Sequence, residues 1–374
     1  MRIVIAKRHG RRGAGLGNEL FPWAKGWIAS QVLDAQLVGP SWGLNQHRYD
    51  RHFGTSRLDF VVEDVLLRLP IHAFTVRDYH ASGEIDFGNA IRKWAEARGL
   101  TARRSFRVSV EGMWGGYASI RGARPFLLAQ LLNSRDALRN VYQVTSELDR
   151  NRLFVAVHMR SATDGFSMPP ESENVQGKFN IAIPGAWYRW VCEAIRQRYG
   201  EQVQFRFFTD RGGPDFEEAV RRFNPGQTSQ TGLTECSDLL LMAQADLRIC
   251  SVSSFSMAAN FLSDGPYLWY QPQLTCHGGL YSLWGGEERQ RVGDSPTSTS
   301  REFVSGLIDL GQTRPELPIN FLGSAMAIGD PLPDMLVQLL DHRLSTRDAR
   351  TNLLEYGCIP KASSERVSQG VQLS

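Results

Sequence analysis

The sequence predicts an α/β protein of two domains. Its 374 residues exceed what one ordinary hydrophobic core organises. It opens on a strand, a glycine-rich turn and a helix, and its second half alternates short apolar strands with amphipathic helices, as a parallel sheet requires. The expected division is residues 1–148, residues 149–330, and residues 331–374 carrying a C-terminal helix and a flexible tail.

The elements follow in chain order. Ile3 to Ala6 is a first strand, and Gly13, Gly15 and Gly17 form the turn after it. From Asn18 to Leu33, the residues Leu20, Trp23, Trp27, Ile28 and Val32 recur near helical spacing. Mixed segments run to about residue 120, and Arg124 to Leu148 then reads as one helical connector with Leu127, Leu128, Leu131 and Leu132 on a face. Leu153 to Val157 is an unbroken apolar run, the mark of a strand buried on both faces. A polar loop from Ser161 to Ile183 leads to Pro184, which suits a helix start, and to a helix from Ala186 to Tyr199. Beyond it come a strand (Phe205 to Phe208), helices (Asp215 to Phe223 and Asp238 to Ala245), a strand (Leu247 to Cys250), a helix (Phe255 to Leu262) and a strand (Tyr267 to Tyr270). Gly293 to Arg301 is a Ser/Thr-rich loop, and the chain from about Ala362 is a frayed tail.

Composition narrows the classes of function. The chain is 42% hydrophobic and 22% charged, enough to bury a sizeable core. Its 42 basic residues against 39 acidic ones give a formal net charge of +3, too weak an excess for non-specific nucleic-acid binding. The run of Lys7, Arg8, Arg11 and Arg12 reads as solvated or phosphate-facing loop charge. Five widely spaced cysteines (Cys192, Cys236, Cys250, Cys276 and Cys358), with no CxxC pair, argue against a disulfide framework and a structural zinc site. No apolar run is long enough for a membrane span or a signal-peptide core. A reducing compartment, the cytoplasm, is the expected location.

Four segments carry candidate chemistry. The first is Gly13-Ala14-Gly15-Leu16-Gly17-Asn18-Glu19-Leu20-Phe21. It fails the dinucleotide fingerprint, which needs Gly at the position of Asn18, and it fails the P-loop pattern. What remains is a turn into a helix, serving either to aim N–H groups at an anion or simply to cap the helix with Asn18. The second, His158-Met159-Arg160-Ser161-Ala162-Thr163-Asp164, follows the most apolar strand, at the edge where open α/β sheets bind ligands. Arg160 offers a donor fork suited to a phosphate pair and His158 a further donor; the alternative is an Arg160–Asp164 ion pair beside a packed histidine. The third is Phe207-Phe208-Thr209-Asp210, where Asp210 is a ligand contact or a turn residue. The fourth runs from Asp238 to Ser256. Asp238 opens a helix as a carboxylate able to accept from guanine N1–H and its 2-amino group, and Ser253, Ser254, Phe255 and Ser256 form a phosphate nest; the alternative is two helix caps, Asp238 and Ser253 or Ser254.

Taken in order, these segments resemble the fucosyltransferase superfamily, which includes bacterial α-1,2-, α-1,6- and protein O-fucosyltransferases. Gly15 to Phe21 is similar to its GLGNQ-(M/L)-F motif, His158-Met159-Arg160 to HxRR, Phe208-Thr209-Asp210 to (S/T)DD, and Asp238 to Ser256 to DLxLM…NSSFS. The resemblance spans about residues 1–275. The departures are Glu19 for Gln, Ser161 for the second Arg, a more distant Asp164, Arg211 for the second Asp, and Val252 for Asn.

The resemblance implies a GT-B fold of two Rossmann-like domains facing across a cleft, with residues 1–148 on the acceptor side and 149–330 binding a GDP-sugar. It implies inverting transfer of L-fucose from GDP-fucose to a hydroxyl of a carbohydrate or small-molecule acceptor, with no metal, no other cofactor and no nucleic-acid partner. Arg160 would stabilise the departing diphosphate together with Ser254 and the Phe255 N–H. His158 and Asp238 would hold guanine, with Ser253 and Asp210 lining the donor site, while Gly15, Gly17 and Asn18 face the reaction. A base would come from Glu19, Asp164 or Asp210. Two alternatives stand beside this one: a transferase using another GDP-sugar for natural-product glycosylation, and a GDP-sugar-binding protein without turnover.

Overall fold

Two apolar runs with no polar interruption, Ile3 to Ala6 and Leu153 to Val157, become central strands of two separate parallel sheets. In the computed structural model the described residues are 1–8, 14–42, 46–160, 183–227, 234–251, 253–272, 284, 320 and 322–346. They divide into two compact units, one of Met1–Arg135 with Trp284, the other beginning at Asp136. Each is an α/β unit with an all-parallel sheet, the class the sequence predicts.

The first unit runs β1 (Arg2–Ala6), α1 (Leu16–Val32), β2 (Gln36–Val38), α2 (Asp50–Phe53), α3 (Arg57–Arg68), β3 (His72–Phe74), α4 (Val76–Ser82), α5 (Phe87–Ala97), β4 (Phe106–Val110), α6 (Gly116–Ser119) and α7 (Arg124–Leu132). Its strand order is β2-β1-β4-β3, with Val4 opposite Leu37 on one side and Val108 on the other. Helix α1 is buried over most of its surface because it lies directly on β1. Gly26 makes that approach possible, since a Cβ there would sit 2.6 Å from the Ala6 Cβ and 2.9 Å from Leu37 Cδ1. The helix continues through Pro22, which removes one backbone donor, the partner of the Asn18 carbonyl.

The second unit runs α8 (Ala137–Glu147), β5 (Leu153–His158), α9 (Gly185–Tyr199), β6 (Val203–Phe208), α10 (Pro214–Phe223), α11 (Glu235–Gln244), β7 (Leu247–Ile249), α12 (Ser254–Phe261), β8 (Tyr267–Tyr270), β9 (Gly323–Met326) and α13 (Asp334–Ser345). Strand order is β6-β5-β7-β8-β9. All six residues of β5 are buried, and Val155 lies between Phe205 and Leu247. One face of the sheet packs through Val155, Val157, Phe205 and Phe207 onto Trp187, Val191 and Ile195 of α9. Among the described residues, Cys192, Cys236 and Cys250 are buried free thiols, and no helix is long and apolar enough to cross a membrane.

Three boundaries differ from the sequence reading. The single connector expected from Arg124 to Leu148 is two helices, α7 and α8, because Asn133 to Asp136 turns the chain, with Asp136 left-handed at φ 62°. Asn, Ser and Asp supply local turn hydrogen bonds that compete with a helix, and Ser134 Oγ donates to the Leu131 carbonyl at 2.6 Å. Helix α1 begins at Leu16 with Gly15 as its N-cap, so Asn18 lies inside the first turn and is not the cap. Helix α11 begins at Glu235, capped by Thr234, whose side chain accepts from the Ser237 N–H. Asp238 is its fourth residue. The expected loops at Ser161 to Ile183 (all but Ile183) and Gly293 to Arg301, and the tail from Ala362, lie outside the described residues.

The α1–β1 contact gives the first test. Gly→Ala in a helix interior ordinarily stabilises by about 0.8–1 kcal/mol. At Gly26 the new methyl meets atoms that belong to a central strand and cannot swing aside. Overpacking of this kind costs about 1–3 kcal/mol, so Gly26→Ala should lower the melting temperature in circular dichroism. A melting temperature equal to or above that of the parent would refute the close approach.

Candidate functional site

In an open parallel sheet, side chains that leave the carboxyl ends of neighbouring strands converge at one edge. In the second unit those strands are β6, β5 and β7. The Met159 N–H donates to the Phe208 carbonyl at 2.8 Å, so the segment His158-Met159-Arg160 leaves the sheet beside Thr209-Asp210. Past β7, the Cys250 N–H donates to Leu268 O at 2.9 Å, and Ser251 leads into the cap of α12.

His158 is the centre of this edge. Its Nδ1 lies 2.7 Å from Ser256 Oγ and 2.8 Å from Ser251 Oγ, and its ring centroid is 5.4 Å from that of Phe255. Burial pushes its pKa down to about 4; the Asp210 carboxylate opposes this and the Arg160 guanidinium adds to it. The imidazole is therefore neutral at physiological pH. A hydroxyl that donates to Nδ1 leaves the proton on Nε2, making that nitrogen a donor. His158 thus feels the charges of both Asp210 and Arg160.

Helix α12 begins here. Ser253 is its N-cap, with Oγ accepting the Ser256 N–H at 3.1 Å. The capping role and a ligand role are compatible, because the hydroxyl proton of Ser253 is not consumed by accepting that bond. Helix geometry gives the Phe255 N–H no acceptor within the helix, and the N-terminal end of a helix favours an anion.

Asp238 occupies a different setting. The residue as a whole is partly exposed, yet its Oδ1 is buried and has no hydrogen-bond partner. Burial pushes its pKa up to about 7, against the pull of the Arg206 guanidinium. Arg206, on β6, is buried, and its Nε also has no hydrogen-bond partner. Burial lowers its pKa while Asp238 and Glu147 raise it. A buried carboxylate oxygen without a donor costs about 1–3 kcal/mol or more, so this pair is a polar feature that the fold alone does not satisfy.

In the first unit, Gly15, Gly17, Asn18 and Glu19 form the entry to α1. Glu19 is fully buried and its Oε1 accepts the Ala14 N–H at 2.7 Å, clamping the glycine turn. The Tyr117 hydroxyl donates to Gly17 O at 3.1 Å from a buried position that pushes its phenol pKa well up. Asn18 is half-buried. Asp164 and Val252 lie outside the described residues.

The sequence reading brought His158, Arg160, Asp210, Ser253, Ser254, Phe255 and Ser256 to one sheet edge, and it missed Ser251 and Arg206. Ser251 was visible as a further hydroxyl in Ser251-Val252-Ser253-Ser254-Phe255-Ser256. Arg206 was visible as a cation in the otherwise apolar stretch Phe205 to Phe208. Among the described residues no group of three or more His, Cys, Asp or Glu side chains is assembled as a metal site.

No known protein family pattern matches the chain, and no curated protein sequence does. Among solved structures, it is similar to POFUT1 in complex with GDP-fucose, at 16% identity and a TM-score of 0.43 over 72% of this chain and 97% of that one. It is also similar to the fucosyltransferase NodZ from Bradyrhizobium, at 16% identity and a TM-score of 0.41 over 70% of this chain and 94% of that one.

Two pH effects follow. A histidine whose folded pKa is depressed stabilises the fold fully above its unfolded value near 6.5, and that stability drains as pH falls toward about 4. A carboxyl whose folded pKa is raised does the opposite: Asp238 costs nothing at low pH and destabilises progressively as pH rises from its unfolded value toward about 7. Asp238→Asn should therefore raise the ligand-free melting temperature at pH 8 and change it little at pH 4. The gain should be on the order of 2 kcal/mol, discounted for partial exposure. Equal melting temperatures of the two proteins at pH 8 would contradict the buried, unsatisfied carboxylate.

Proposed function

We propose that the chain is a glycosyltransferase that moves L-fucose from GDP-fucose to an acceptor hydroxyl, with inversion and without a metal. The observation that carries this reading is the edge of the second sheet, where neutral His158 and cationic Arg160 stand with Asp210 and the start of α12. The ordered motif resemblance supports the choice of donor.

Cleavage of the sugar–phosphate bond builds negative charge on the β-phosphate and positive character at the anomeric carbon. Arg160 supplies a fixed guanidinium for the first, with the Phe255 N–H and the Ser253 and Ser254 hydroxyls as further donors. A neutral His158 donates to the nucleotide without adding a second full charge. Asp238 accepts from guanine N1–H and the 2-amino group, giving its orphaned Oδ1 a donor. Uracil and adenine do not present that donor pair. The acceptor oxygen attacks from the face opposite the diphosphate, and its proton passes to a carboxylate or to solvent. Glu19 would have to release the Ala14 N–H to serve as that base, and Asp164 and Asp210 are the other candidates. In this reading residues 1–148 hold the acceptor side and residues 149–330 the donor.

A second donor sugar is favoured by one specific observation. Ser161 and Arg211 replace an Arg and an Asp of the resembled motifs, altering charge next to Arg160 and Asp210. Incubating the protein with GDP-fucose, GDP-mannose and GDP-arabinose in EDTA, read by mass spectrometry, separates the donors. Turnover or slow hydrolysis of GDP-fucose is expected. Turnover of another GDP-sugar alone would move the assignment, binding without any hydrolysis would leave a binding protein, and dependence on a divalent cation would overturn the mechanism. Arg160→Ala should lower turnover by about 10²–10³ or more.

Guanine recognition gives a separate test. GDP should bind about 10–100-fold tighter than inosine diphosphate, which lacks the 2-amino group, because one hydrogen bond to a charged group is lost. GDP affinity should also weaken as pH falls below about 7, where the Asp238 carboxyl takes up a proton. Calorimetric titration showing equal affinity for the two nucleotides at pH 8 would remove Asp238 from the site.

A further inference from the structure

Helix α3 of the first unit is amphipathic in the wrong direction for a helix that only packs on its own core. Leu58, Val61, Val62 and Val65, with Leu69 at the C-cap, are 40–70% exposed. Their spacing of three, four and seven residues sets them on one face as a continuous stripe. The opposite face is the one held inside, through Glu63, which accepts from the Ser41 N–H and Oγ at 2.6 and 2.7 Å. Singly scattered exposed apolar residues are ordinary, but here five fall on one face of one helix.

The charge around the stripe says what it meets. Arg57, Asp64 and Arg68 border one side of it, with Asp64 and Arg68 paired at 2.6 Å. Where the chain leaves the helix, the Arg107 Nε donates to Pro70 O at 3.1 Å, and the Arg103 guanidinium lies 3.4 Å from His72 Nε2. Arg104, next in the chain, is exposed. Five arginines thus stand along or beyond the helix, which itself carries three acidic residues: Asp64, Asp59, spent on the Ser56 capping box, and Glu63, turned inside to Ser41.

A second copy of the chain suits this surface poorly. In a two-fold antiparallel pairing of α3, the edge bearing Arg57 and Arg68 meets the same edge of its mate, setting arginine against arginine. The stripe is also small: a helix of 12 residues is about 18 Å long, giving a footprint of roughly 200 Å², against about 800 Å² per partner in a stable protein interface. An apolar helix face with Arg57 and Arg68 on one border and Arg103, Arg104 and Arg107 past its C-terminal end matches the chemistry of an interfacial helix on anionic lipid, with side chains entering the acyl boundary and guanidinium groups at the headgroups.

We infer that the α3 stripe and the arginines beside it dock the protein on an anionic membrane surface. The full chain should co-sediment with vesicles of phosphatidylcholine and phosphatidylglycerol, and at least tenfold less with phosphatidylcholine alone. Binding should fall steeply with salt, as the Debye length shrinks from about 10 Å at 0.1 M to about 3 Å at 1 M. Val61→Glu with Val65→Glu should abolish it, and Arg103→Glu with Arg104→Glu should weaken it about tenfold or more, both with unchanged circular dichroism melts. These side chains are exposed, so the variants keep the fold. Absence of vesicle binding at low salt overturns the inference, as does equal binding to both vesicle types. So does a concentration-dependent dimer in sedimentation velocity that the Val61/Val65 variant dissolves, which would assign the stripe to a second copy.

Discussion

The contact from His158 Nδ1 to the hydroxyls of Ser251 and Ser256 is the constraint on which the candidate site depends. It ties the end of β5 to the turn between β7 and α12, two segments 93 residues apart in sequence. Because the histidine is buried and neutral, the contact is a short hydrogen bond in a poorly polarisable setting, where such bonds are strong and unmade ones expensive. It also fixes the direction of α12, since Ser256 is at once the partner of His158 and the residue whose N–H is capped by Ser253. Moving the imidazole would disturb the strand end and the helix start together.

Buried arginines in this unit show two different uses of the same group. Arg248, on β7, is fully buried and gives its donors to Asn260 Oδ1 at 2.8 Å, Ser263 Oγ at 2.7 Å, and the carbonyls of Ala245, Gly265 and Pro266. It is a structural bolt between β7, α12 and the turn into β8. Arg206 has no such set, and its Nε goes without a hydrogen bond while Asp238 Oδ1 does the same. The fold satisfies Arg248 this fully, while Arg206 Nε and Asp238 Oδ1, coupled through their charges, both lack a hydrogen bond, a polar deficit within one interacting pair. That deficit is the physical ground for looking to a ligand at Asp238.

Much of the fold was legible because parallel strands buried on both faces have to be apolar throughout. Leu153 to Val157 and Tyr267 to Tyr270 stand in the structure nearly as the sequence marks them. β2, β3, β4 and β9 escaped notice because Gln36–Val38 and His72–Phe74 are three residues long, Phe106–Val110 is interrupted by Arg107 and Ser109, and Gly323–Met326 is built mostly of small residues. Helix starts were misplaced for a related reason. Asn18 and Asp238 look like caps, but Gly15 caps α1 with backbone alone, and Thr234 pairs with Ser237 where the usual box has Glu or Gln. The site was legible where strand ends bring residues together. Arg206 was not, because whether a cation on a strand is satisfied depends on side chains remote in sequence.

The same carboxyl edge exists in the first unit, and its charges are disposed otherwise. Lys7, after β1, pairs with Glu111, after β4, at 2.5 Å. Arg8 lies 3.4 Å from Glu63 Oε1 and covers the Phe60 ring at 4.3 Å, while burial pushes the Glu63 carboxyl above its usual range. Lys25 is fully buried on α1, donating to the carbonyls of Gly112 and Trp114 at 2.9 and 2.7 Å, with its ammonium 3.1 Å from the centroid of the Trp114 ring. Each of these three cations is engaged within its own unit. A diphosphate bound at this edge would have to break an ion pair or draw a buried ammonium from its carbonyl cage, at a cost the phosphate contact would have to exceed. At the second sheet, Arg160 already stands beside a neutral donor and the positive end of a helix. Among the described residues, the carboxyl edge of the second sheet therefore offers an anion a less costly place than the carboxyl edge of the first.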